Sequence, residues 1–112
     1  MTERPDPAAL DAAVDRVADR VRPMPESALR RGTGARGLAL ARELARRAQL
    51  VERPDAPPRE LPDDGLYVVG DQIAVAGHDL AHALRAAPPG PAADAELAAA
   101  LGLLRAFQDS RS

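Results

Sequence analysis

"LYVVGDQIAV", residues 66–75, settles whether this chain is all helix or also carries a sheet. Two runs rich in β-branched and aromatic residues flank Gly70-Asp71, and glycine first in a two-residue loop suits a type II′ turn. With that turn Val68 faces Ile73 and Leu66 faces Val75, so these aliphatics share one side. Tyr67 opposite Ala74 and Val69 opposite Gln72 make the other side mixed. The stretch predicts a two-stranded antiparallel β-hairpin. A lone hairpin is marginal in water, so it must lie on helices or be completed into a larger sheet by dimerisation.

The flanking sequence is helical in pattern. "DPAALDAAVDRVADRVRP" places Asp6 as N-cap and Pro7 at the first helical position, with Leu10, Val14, Val17 and Val21 on one face. Pro23 and Pro25 end this helix, predicted over 7–22. A turn of helix at 26–31 and a longer helix at about 34–51 follow, the second striped by Gly37, Leu40, Ala41, Leu44, Ala48 and Val51. Residues 52–65, "ERPDAPPRELPDDG", hold four prolines and seven charges and read as a semi-extended linker. Beyond the hairpin, 79–87 predicts a short helix with Gly77 closing the strand and Asp79 capping it. Pro91 opens a last helix over about 91–108, with Leu97, Ala100, Leu101, Leu104 and Phe107 as its buried stripe. The expected fold is α+β, mainly α, with about four helices and the hairpin in one small domain (1–112).

Composition narrows the function classes. The chain has 112 residues, enough for one core. Alanine supplies 25 of them against one Phe, one Tyr and no Trp, so the core is thin and a homodimer that buries a second apolar face is expected. All fifteen basic residues are arginine, which with abundant Ala, Pro, Gly and Asp suggests GC-rich bacterial coding. Charge is polarised, with eleven arginines against eight acids in 1–53 and four against nine in 54–112. That balance falls short of a DNA-binding footprint. The absence of cysteine excludes disulfides and thiol chemistry. "MTERPDPAAL" shows no leader pattern and no stretch is apolar enough to span a membrane, so a soluble cytoplasmic protein is expected.

Three motifs bear on chemistry. "GTGARG", 32–37, matches a glycine fingerprint, but no strand feeds it, so it reads as a helix break. Arg30, Arg31 and Arg36 beside that helix start are candidates for holding an anion. "ELARRAQL" resembles the first helix of a helix-turn-helix, yet Pro54, Pro57 and Pro58 stand where a recognition helix should follow. A nucleic-acid-binding regulator using Arg30, Arg31, Arg36, Arg42 and Arg46 within 30–53 is the alternative reading. "HDLAH" is one methylene short of a zinc-protease signature, making His78 and His82 weak metal candidates on a face shared with Arg85. No third ligand is evident, and the pair reads as exposed surface.

No catalytic set and no cofactor site emerges. The leading expectation is a non-catalytic protein–protein interaction or regulatory module, homodimeric and with an unidentified protein partner. Its expected interaction residues are Leu66, Tyr67, Val69, Gln72 and Ala74 of the hairpin.

Overall fold

The computed structural model describes residues 6–110. Helix α1, Pro7–Val21, begins where Asp6 Oδ1 accepts the Ala8 amide at 2.7 Å, with Pro7 in the first turn. It buries Leu10, Val14, Val17 and Val21, the predicted stripe, together with Ala13 and Ala18. Pro25 precedes a short helix, α2 (Glu26–Ala28), which runs into a π turn at Leu29–Thr33. Gly32 in that turn has φ 146°, a backbone that side chains other than hydrogen rarely adopt. The chain kinks there and enters α3, Gly34–Glu52. The glycine fingerprint is therefore a kink, as its context suggested.

Residues 66–86 overturn the β-hairpin. Among the described residues there is no strand, and the α+β expectation gives way to an all-helical fold. Leu66–Val68 form a 3₁₀ turn, and α4 runs from Val69 to Ala86 without a break. Burial at Val69, Ile73, Ala76, Leu80 and Leu84 follows helical spacing straight through the supposed turn. Gly70 and Asp71 lie in the first turn of the helix, and Gly77 and Asp79 lie inside it, so neither pair turns or caps anything. The β-branched residues favour strand as isolated units, but burying a complete helical stripe outweighs that preference. The sheet that dimerisation was to complete goes with the hairpin.

Gly90 and Pro91 then open α5, Pro91–Asp109, which buries Leu97, Ala100 and Leu104 and leaves Leu101 and Phe107 half-buried. Helix α4 is the centre of the fold. It packs along α3 on one side and α1 on the other, while α5 lies mainly across α1 and α3. The result is a slab of 43 × 36 × 16 Å, thin enough that α4 keeps an open outward side.

Glycines set how closely α4 is held. A methyl at Gly77 would lie 2.7 Å from Val14 Cγ1 of α1, and one at Gly37 of α3 would lie 2.6 Å from Val69 Cγ1. The proline-rich segment between α3 and the 3₁₀ turn is stitched down by side chains. Gln49 exchanges two hydrogen bonds with the Arg59 backbone at 2.8 and 2.9 Å, and Arg42 Nε donates to Leu61 O at 2.8 Å. Gln72 Nε2 donates to Pro62 O at 2.9 Å, which lays the end of the segment beside α4.

Candidate functional site

The outward side of α4 gathers the features that the core leaves unused. Asp71, Val75 and Asp79 succeed one another at four-residue spacing and are all exposed. Tyr67 stands one further step back, in the 3₁₀ turn. Tyr67 at 75% and Val75 at 61% are the exposed large hydrophobic residues of the described chain.

Charged groups of both signs lie near this side of the fold, Arg30 interacting with Tyr67 and acids coming from three elements. Helix α1 sends Asp11, Asp15 and Asp19 to the α4 seam, and the segment before the 3₁₀ turn adds Asp63 and Asp64 near Gln72. Arg22 answers part of this charge, donating to Asp71 Oδ1 at 2.8 Å and to Asp19 Oδ1 at 3.2 Å. Arg85 Nη2 donates to Asp11 Oδ2 at 2.6 Å. Asp71 and Asp79 on the line of Val75, with Arg22, Arg30 and Arg85 at its margins, give this face a mixed charge.

His78 occupies the middle of the α1–α4 seam. Its Nδ1 lies 2.5 Å from Asp11 Oδ1 and its Nε2 lies 2.7 Å from Asp15 Oδ1, at 39% side-chain exposure. The hydrogen bond to Asp11 holds the imidazole above its ordinary range; partial burial opposes this and Asp15 reinforces it. Burial pushes the Asp11 carboxyl up, but the hydrogen bonds from His78 and Arg85 outweigh it and hold that group below its usual value.

The structure separates several residues that sequence grouped. His82 is exposed one turn beyond His78, and among the described residues no set of three His, Cys, Asp or Glu side chains could hold a metal. Of the expected interaction residues, Tyr67 is exposed, Val69 and Ala74 are buried, and Leu66 is half-buried against Gly34. Gln72 is spent on Pro62. The arginines of 30–53 are largely engaged with acids. Arg30 holds Glu26 at 2.7 Å, Arg46 holds Glu43 at 2.7 Å, and Arg42 reaches Glu60 at 3.5 Å. Arg36 hydrogen-bonds Thr33 at 3.4 Å, and Arg31 is exposed.

Sequence reasoning missed Val75, which it turned inward, and the pairing of His78 with Asp11 and Asp15. Away from this face, a groove of about 490 Å³ lies between the ends of α3 and α4 and the start of α5, lined by Leu50, Val51, Leu84 and Pro88. Its polar rim is closed by Arg47, which bridges Glu43 at 2.7 Å and Glu96 at 3.0 Å. No helix among the described residues is long and apolar enough to cross a membrane. No protein-family model, curated protein or solved structure matches the chain.

Proposed function

We propose that this protein is a non-catalytic interaction module, acting in the cytoplasm, whose outward α4 face receives a basic, partly apolar segment of a partner protein. The observation that carries the reading is the exposure of Tyr67 and Val75 on one line with the exposed Asp71 and Asp79. Apolar side chains supply the area that association removes from water, and the surrounding charge selects the partner and speeds its approach.

Charge also argues against the same face meeting itself. Two copies of α4 packed antiparallel about Val75 would set Asp71 of one against Asp79 of the other. A parallel pairing would set each aspartate against its own copy. Either arrangement juxtaposes like charges, whereas an arginine- or lysine-bearing segment neutralises them.

A photo-crosslinking amino acid placed at Tyr67 or Val75 tests this in the native host. The expected adduct is with a different protein, mapped to an Arg/Lys-rich stretch, and a crosslinker at exposed Arg105 on α5 does not form it. Adducts only with a second copy of the chain, or none from either position, would overturn the proposal.

A further inference from the structure

We propose that His78 is a proton-operated clamp between α1 and α4, closed by its imidazolium and opened when the ring loses its proton. The inference stands apart from the proposed partner and rests on the geometry of the seam. Each ring nitrogen faces a carboxylate oxygen of α1, Nδ1 toward Asp11 at 2.5 Å and Nε2 toward Asp15 at 2.7 Å. A neutral imidazole carries one N–H and one lone pair, so it can donate to only one of the two. The ring satisfies both aspartates only when both nitrogens are protonated. In the neutral ring, one nitrogen lone pair points at a carboxylate, and an attraction becomes a repulsion.

The groups around the ring favour this behaviour. From α1 come Asp11 and Asp15; from α4 itself come Arg85, with Asp79 and His82 adjacent along the helix. Arg85 already occupies the second oxygen of Asp11 at 2.6 Å, so Asp11 stays tied to α4 after the ring is neutral. Among the described residues Asp15 has no such second tie and is held to α4 by Nε2 alone. A neutral ring that keeps its N–H on Nδ1, the nitrogen with the shorter contact, gives up the contact at Asp15, a turn further along α1. Next to the clamp, the Val14 side chain sits against Gly77 with no room for a Cβ, so any loosening of the clamp is felt at the tightest point of the seam. Histidine is the side chain whose ordinary titration falls near neutrality, which places the device within reach of cellular pH.

The test is an NMR titration of the histidine rings in the full chain from pH 5 to 9, assigned with His82→Ala, alongside amide protection factors at each pH. His78 is expected to titrate above the ordinary value of about 6.5, and Asp15→Asn to bring that midpoint down. Protection in α1 is expected to fall across the midpoint by a larger factor than in α3. A His78 midpoint at or below about 6.5, or α1 and α3 protection changing by the same factor, overturns the clamp. Should Asp15→Asn fail to fold, the native titration and protection factors decide by themselves.

Discussion

Adding one methyl group at Gly77 tests whether the α1–α4 seam is as close as the structure has it. In Gly77→Ala the new Cβ would lie 2.7 Å from Val14 Cγ1, 3.0 Å from Val14 Cβ, and closer still to Cγ2. Ordinary carbon contacts begin near 3.5 Å. Val14 is fully buried and β-branched, so on a helix it has one strongly preferred rotamer and cannot swing aside. The helices must instead move apart where Leu10, Val17, Ile73 and Leu80 depend on their approach. Overpacking of this kind costs about 1–3 kcal/mol, and three clashing atoms on a stiff side chain put it toward the upper end. Alanine recovers about 1 kcal/mol through its better helix propensity. The net expectation is a loss of about 1–2 kcal/mol, read as a melting temperature lower by about 5–10 °C. Gly102 on α5 isolates the propensity contribution, because a methyl there meets nothing within 4 Å. Gly102→Ala should raise the melting temperature by a few degrees. Thermal unfolding followed by circular dichroism at helical wavelengths compares the three proteins. A Gly77→Ala protein that melts at or above the native one would refute the close seam.

Two further outcomes are expected. The carboxyl of Asp11 is held below its ordinary value, so its contribution is present above about pH 4 and is lost as pH falls through the lowered value. Asp11→Asn should therefore flatten the acid limb of a melting-temperature profile between about pH 2 and 5, and an unchanged limb would count against the Asp11–His78–Arg85 cluster. Leu80 is fully buried on the central helix, and Leu80→Ala should cost about 2–5 kcal/mol, lowering the urea midpoint. A midpoint within error of native would mean that α4 is not central.

Helices α1, α3 and α5 were legible because local signals and burial agree in them. Asp6 and Pro7 start α1 where sequence places its start, and its four aliphatics recur on the face that the structure buries. Pro91 does the same for α5. In α4 local and non-local signals conflict. A ten-residue window over 66–75 fits a period of two, with glycine at a turn position and valines around it. The helical period becomes visible only when the window runs on through Ala76, Leu80 and Leu84, well past the supposed hairpin. Its consequence for the surface is large. Ile73 is inward either way, but Val75 passes from expected core to open surface and Val69 from a mixed face to the core. The expected interaction surface moved for that reason, with Tyr67 alone keeping its place.

The seam at His78 was illegible for a different cause. Asp11 and Asp15 lie 67 and 63 positions from the histidine, and nothing in the local pattern says which helix faces which. One clue is present in hindsight of the pairing. Asp11 and Asp15 share a face of α1 beside its buried stripe, at the same four-residue spacing that first made His78 and His82 conspicuous. Spacing between the histidines suggested a metal, yet the partner that matters is the carboxylate pair on another helix. Two i, i+4 polar pairs on helices brought together by a glycine make an inter-helix contact before they make a ligand set. The chemistry that follows is proton exchange at the seam, where a charge change is felt by the packing of Val14 against Gly77.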